Sequence, residues 1–231
     1  MTTNLIDRWK ATPNLFRKLS SRNCGSPEAL SDLRGIPYGN RDVRTSIRSL
    51  QLSYVDLSYA TFQNCNFFDM KFIGCHFAKV DFTNLRQWNC KYLDCTFEKS
   101  DFRNATMGVA TTFEGSTFAS CKLKGKHFSF GSQNLFKETH FSKCEIGSAW
   151  IDSVRFEKCI LSSKFKNVRF SGSFEASLDP DKKEFPATFL ECDLSKSVFE
   201  DVEIMDGAVI YDTALPDQKS ERFNNDRLCY H

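Results

Sequence analysis

Ten cysteines and four histidines give this sequence its widest chemical range, since either type can hold a metal and cysteine can also act as a nucleophile or redox centre. Their spacing argues against those uses. Cys65, Cys75, Cys90 and Cys95 lie multiples of five residues apart, and no Cys-x-x-Cys pair of the zinc type occurs. No phosphate loop, nucleophile elbow or dinucleotide fingerprint is present. Carboxylate neighbours such as Glu200-Asp201 come without a pocket that would shift a pKa. No catalytic residue, metal site or cofactor is expected, and the chain reads as a non-enzyme.

The cysteines fit a different rule. Between Val80 and Met107 a large residue stands at every fifth position: Phe82, Gln87, Tyr92, Phe97, Phe102 and Met107. Two residues before each stands a smaller one: Val80, Leu85, Cys90, Cys95, Ser100 and Ala105. A period of five matches neither an amphipathic helix nor an alternating strand, and a short period held this long is the signature of a solenoid. Eight of the cysteines (65, 75, 90, 95, 121, 144, 159 and 192) occupy the smaller position, where Ala, Ser, Val and Thr alternate with them. They are read as compact buried hydrophobes with inert thiols. Only Cys24 and Cys229 fall outside the frame. His76, His127 and His140 each immediately precede a large residue, and along an extended chain neighbours such as Cys75 and His76 would point to opposite sides and could not share a metal.

The frame starts at Leu52 and runs to Met107, slips by one residue to Phe113, Phe118, Leu123 and Phe128, and slips again over an insertion holding Phe130 to Phe136, Phe141, Ile146, Ile151, Phe156 and Leu161. Two single deletions then give Phe165, Phe170 and Phe174. Residues 175–188 break it, and it resumes at Phe189, Leu194, Phe199, Ile204 and Val209. The expected organisation is therefore a capping segment at 1–49, a repeat region at 50–211 with an insertion loop at 175–188, and a polar tail at 212–231. Within the cap, residues 3–22 read as one or two short helices, with Leu5, Ile6 and Trp9 on one face, and Ser26-Pro27-Glu28 reads as a further helix start. Gln87 is the misfit inside the frame. Either it bonds to backbone or the wall is distorted beside Trp88, and the second is the expectation.

Units such as Cys75-His76-Phe77-Ala78-Lys79 and Ser100-Asp101-Phe102-Arg103-Asn104 resemble the pentapeptide-repeat family, over roughly residues 52–211. That resemblance implies an all-β solenoid: a right-handed quadrilateral parallel β-helix of about eight coils, four repeats to a coil, with a small N-terminal helical cap. Residues one coil apart should then stack at the strand spacing of about 4.8 Å. Leu57, Phe77, Phe97, Phe118, Phe141 and Leu161 would form one column, and Phe72, Tyr92, Phe113, Phe136 and Phe156 another. Cys75 would lie against Cys95 and Cys121 against Cys144, within disulfide reach, yet parallel side chains and a reducing compartment favour free thiols.

A filled column leaves only its outside for work, so the expected function is protein binding, as an immunity-like or antitoxin-like inhibitor module acting through outer walls and loop. The loop residues Asp179, Asp181, Lys182, Lys183 and Glu184 are the first candidates; a merely tolerated insertion is the other reading of that stretch. The second candidates are the acidic end residues Glu200, Asp201, Glu203 and Asp206. An alternative implied by the family is DNA mimicry, with binding to gyrase and protection from quinolones or toxins. It needs a strongly negative wall, whereas 50–211 carries a net −2. A third reading is nucleic-acid binding through the basic segment 1–49, net +5, where Arg34, Arg41, Arg44 and Arg48 cluster loosely without interleaved aromatics. Nucleic acid is not the expected partner. No apolar run is long enough to span a bilayer and the first residues lack a secretory pattern, so a cytoplasmic protein without membrane contact is expected, as monomer or dimer.

Overall fold

The period of five comes from the corners. In the computed structural model, which describes Leu5, Trp9 and residues 24–151, 153–171, 187–205 and 208–217, every fifth residue from Tyr54 to Asn104 turns the chain with φ between 51° and 63°. Asn, Asp and Gly adopt this left-handed conformation most readily, and bulkier residues do so at a strain of about 1 kcal/mol. Asn64, Asp69, Gly74, Asn84, Asn89, Asp94 and Asn104 fill most of these corners, and Tyr54, Tyr59, Lys79 and Lys99 fill the others. Between corners the chain is extended, so neighbours alternate outward and inward and the middle residue of each side enters the core.

Each coil pairs in parallel with the next. On the wall containing Phe77, His76–Ala78 pairs with Thr96–Glu98, and Thr96–Glu98 with Thr117–Ala119. On the wall containing Tyr92, one sheet of 8 strands climbs from Gln51–Ser53 through Lys91–Leu93 and Asn134–Lys137 to Val209–Tyr211. The fold is thus a parallel β-solenoid of about eight turns. Both expected columns form. Phe77, Phe97, Phe118 and Phe141 stack at 4.8, 4.5 and 4.8 Å with rings within 6° of parallel. Phe72, Tyr92, Phe113, Phe136 and Phe156 stack at 4.7 to 5.1 Å, and Phe189 continues the column at 4.9 Å beyond the insertion. Adjacent columns meet edge to face, as Phe72 meets Phe77 at 5.4 Å and 78°. Offset stacking along the axis and T-contacts across it are the two arrangements the ring quadrupole favours.

The smaller inward position has its own bonding rule. Ser100 Oγ donates to the Phe77 carbonyl at 2.8 Å and Thr139 Oγ1 to that of Phe113 at 3.1 Å. Cysteine does the same with sulfur: Cys121, Cys144 and Cys159 donate to the carbonyls of Phe97, Phe118 and Phe136 at 3.4, 3.3 and 3.2 Å. Each is a tie to the preceding coil, which explains why Cys, Ser and Thr alternate there. The eight framed cysteines are buried and free, and Cys24 is half-buried and free; Cys229 lies outside the described residues. Besides the two expected stacked pairs, Cys159 adjoins Cys192, a pairing that the insertion hides in the sequence.

Four expectations are corrected. Gln87 causes no distortion: its Nε2 donates to the Met107 carbonyl at 3.0 Å and its Oε1 accepts the Tyr92 hydroxyl at 2.7 Å, so the amide is satisfied inside the column. Phe130, read as an inserted residue, takes the inward centre beside Met107, because Thr106 pairs with Ser129; the extra residues are absorbed at the Gly125 corner, whose φ is +123°. Ile210 rather than Val209 stacks on Phe189. Ser26-Pro27-Glu28 starts no helix: Ser26 and Ala29 close a turn through reciprocal backbone bonds, and the wall begins soon after, where Ser31–Asp32 pairs with Val55–Asp56. Thr45–Arg48 likewise pairs with Cys65–Phe68, so the segment read as a cap also contributes strands. Of the expected first helices, Leu5 and Trp9 are helical, with Trp9 Nε1 donating to the Arg34 carbonyl at 2.9 Å; the rest of 1–23 is outside the described residues. Among the described residues no helix is long and apolar enough to cross a membrane.

Candidate protein-binding walls

With the interior filled by stacked rings, the side chains open to a partner are those at the two outward positions of each side and at the corners. Among the described residues, shallow depressions on the outside of the column include two of note. One is bordered by Trp150, Arg169, Asp201 and Glu203, the other by Lys124, Gly147, Lys164 and Lys166. Gly147 opens the second by withholding a side chain between Lys124 and Lys166. Trp150, 57% exposed, stands beside the first.

The acidic end is less acidic than its composition suggests. Glu200 accepts from Lys164 at 2.5 Å and Lys166 at 3.3 Å, and the Lys164 hydrogen bond first of all holds its carboxyl below the usual range. Glu203 meets Arg169 at 2.9 Å. Asp201 sits at the corner between them, exposed, with φ of 52°. Asp206, together with the loop residues Asp179, Asp181, Lys182, Lys183 and Glu184, lies outside the described residues. The structure therefore brings Glu200, Asp201 and Glu203 to one edge, two of them already facing cations from the coil before. Lys124 with Glu145 and Lys137 with Glu114 repeat this cross-coil pairing. Sequence distance conceals it, but counting one coil along the frame would have found it.

The basic N-terminal segment does not form one patch. Arg34 turns to Asp32 at 3.0 Å, while Arg44 and Arg48 join the wall containing Gln87. That wall supplies the aromatics that the arginine cluster lacks in sequence. Phe68 and Trp88 point outward from successive coils and stack at 4.6 Å and 9°, with the Arg48 guanidinium 3.8 Å from the Phe68 ring centre. Each follows an inward centre by one residue, Phe67 and Gln87, which was the available signal.

One constellation has the composition of a hydrolytic triad. His76 Nδ1 lies 3.7 Å from Asp56 Oδ1 and 3.5 Å from Ser58 Oγ. Both partners face the same ring nitrogen, so the imidazole cannot take a proton from the serine on one side while the carboxylate steadies the other. Ser58 is also buried and its oxygen accepts the Ala78 amide at 3.3 Å. Among the described residues no group of three or more His, Cys, Asp or Glu is placed to hold a metal.

The family model described as pentapeptide repeats (8 copies) matches residues 51–84. No curated protein matches the chain. Among solved structures, similarity extends to a trypsin-treated variant of QnrB1, a plasmid-mediated fluoroquinolone resistance protein, at 19% identity over 82% of this chain and 92% of that one, with a TM-score of 0.37. HetL, involved in heterocyst differentiation regulation in the cyanobacterium Nostoc sp. strain PCC 7120, is similar at 11% identity over 80% and 90%, with a TM-score of 0.33. The pentapeptide repeat protein Rfr23 from the cyanobacterium Cyanothece 51142 follows at 9% identity over 80% and 90%, with a TM-score of 0.17. At such TM-scores the architecture rests on the strand register given above.

Proposed function

We propose, from the premise that this chain belongs to the pentapeptide-repeat family, that it acts without catalysis, as a rigid protein-binding column in the cytoplasm. The observation that carries this reading is the continuous stacking of the Phe77 and Tyr92 columns, which leaves the interior to side chains and the chemistry to the outside. A wall already held by coil-to-coil bonds loses little freedom on docking, which favours a broad, flat protein interface. The loop at 175–188, with Asp179, Asp181, Lys182, Lys183 and Glu184, is proposed as the specificity element, because a loop on a rigid scaffold is free to vary. The edge formed by Glu200, Asp201 and Glu203, with Asp206 close in sequence, is proposed as a second contact region whose charges exchange their Lys and Arg partners for those of a protein. In this reading the partner is a toxin-like or enzyme target that the column caps.

Affinity capture with the intact chain and with a variant lacking residues 176–187 tests the assignment. Retention of a defined protein by the intact chain and its loss from the variant is the expected result. Identical capture by both removes the loop from the proposal, and capture of nothing by either removes the protein-binding function.

A further inference from the structure

The lower part of the Gln87 wall differs from its surroundings in carrying guanidinium groups that pair with no described carboxylate; Asp69, at the corner after Phe68, accepts from Asn89 Nδ2 at 2.8 Å instead. Two outward columns climb it. One consists of Ser46, Asn66 and Arg86, the other of Arg48, Phe68 and Trp88, with Val109 next. Two residues of extended chain, about 6.5 Å, separate the columns. Arg44 lies across the first, donating from Nη1 to Asn66 Oδ1 at 3.0 Å and to the Asn84 carbonyl at 3.1 Å. Arg44, Arg48 and Arg86 form no ion pair with a described residue, whereas Arg34, Arg103, Arg155 and Arg169 each do. Burial, and after it the charge of Arg86, lowers the Arg44 pKa, as two like charges held close together without a counter-charge require.

We infer that this wall docks an acidic protein segment, its carboxylates on Arg44, Arg48 and Arg86 and its apolar side chains on Phe68, Trp88 and Val109. The inference rests on the protein-binding reading and specifies a partner chemistry for it. Ring orientation selects the class of partner. One face of Phe68 is covered by Arg48 and the other by Trp88, whose far side turns to Val109 of the following coil. A nucleobase needs an open ring face to stack on. Phe68, enclosed on both faces, offers only its edge, and the edge is the positive part of the quadrupole, which suits a carboxylate oxygen. The planar guanidinium fork adds two-pronged carboxylate recognition.

The test is fluorescence anisotropy with the full chain and three labelled probes: a short peptide of Glu, Asp and Leu, its Gln/Asn/Leu counterpart, and an oligothymidylate. The acidic peptide should bind in a salt-sensitive manner and the neutral one should not. The triple variant Arg44→Glu, Arg48→Glu, Arg86→Glu should weaken binding by about tenfold or more, because a rim charge reversed against its partner repels it. Arg86→Gln, which removes charge without reversing it, should weaken binding less, and Lys122→Glu on the neighbouring wall should leave it unchanged. Equal binding by the triple variant, preference for the oligothymidylate, or self-association of the intact chain that the triple variant abolishes would each overturn the inference. A triple variant that still captures the proteins held by the intact chain overturns this wall alone. An intact chain that holds no protein overturns the binding reading with it.

Discussion

The hydroxyl of Tyr92 donates to Gln87 Oε1 at 2.7 Å across the inside of one coil, and both side chains are 1% exposed. Gln87 in turn donates to the Met107 carbonyl one coil on, at 3.0 Å. The Tyr92 hydroxyl is satisfied by Gln87, and the Gln87 amide is completed by the Met107 carbonyl, so the three groups form a small polar unit in an otherwise apolar column. Gln87→Leu should therefore cost about 2–3 kcal/mol, because it strands a buried hydroxyl. The double change Gln87→Leu, Tyr92→Phe should recover much of that, and urea unfolding of the two variants measures both.

This pair also marks how far the sequence could be read. The fivefold spacing of Phe77, Phe82 and Phe97 was enough to give the coil, the columns and the burial of the cysteines, because one geometric demand repeats at every corner. Gln87 broke the pattern, and its solution was hidden because Tyr92, the donor to its Oε1, looked like another filler of the frame. Phe130 was misplaced for a related reason: an insertion can be absorbed on either side of a bulky residue, and only the Thr106–Ser129 pairing decides which. The strands at Ser31–Asp32 and Thr45–Arg48 were missed because Leu33, Ile36, Tyr38 and Ile47 are too irregularly spaced to show a period, although all four enter the core. The outer walls were least legible. Glu200 meeting Lys164 depends on a coil-to-coil register that the 175–188 insertion scrambles, whereas Arg48 meeting Phe68 keeps the regular offset but lies before the frame starts at Leu52.

Alkaline pH should destabilise the fold through its thiols. Burial pushes Cys65 up to about 12 and Cys90 up to about 11, from an ordinary value of 9.0. A thiol that stays protonated when folded but ionises when unfolded contributes stability that is intact below pH 9 and lost as pH rises toward those values. The slope should reach about 1.4 kcal/mol per pH unit for each thiol. Urea midpoints at pH 8 and pH 10 check this, and Cys65→Ala with Cys90→Ala should flatten the difference between them.

Corners occupied by residues other than Gly, Asn or Asp are strained sites that substitution can relieve. Lys143 is exposed and turns its corner with φ of 54°. Lys143→Asn should stabilise the protein by about 0.5 kcal/mol, since Asn tolerates the left-handed region better than a long unbranched side chain. The opposite change at an Asn corner, Asn84→Val, should cost at least about 1 kcal/mol, as a β-branched residue is poorest there. Thermal melting of the two variants should move in opposite directions.

DNA mimicry makes a separate prediction. It requires a wall of unpaired negative charge, yet Glu200 and Glu203 face Lys164 and Arg169, and Lys124 faces Glu145. Addition of the purified chain to a gyrase supercoiling reaction should leave the rate unchanged, with or without a quinolone. Concentration-dependent inhibition or protection would promote the topoisomerase reading over a toxin-like partner.

If the column works by holding a protein against its outside, reconstitution from purified components should display it. A partner identified by affinity capture would be mixed with the intact chain and followed by size-exclusion chromatography with light scattering. A discrete complex should form with all native cysteines reduced, and charge changes on the outer walls should weaken it while the chain's own melting curve stays in place. Failure of any purified protein to form such a complex, or binding that survives on every charge-reversed wall, would contradict this function.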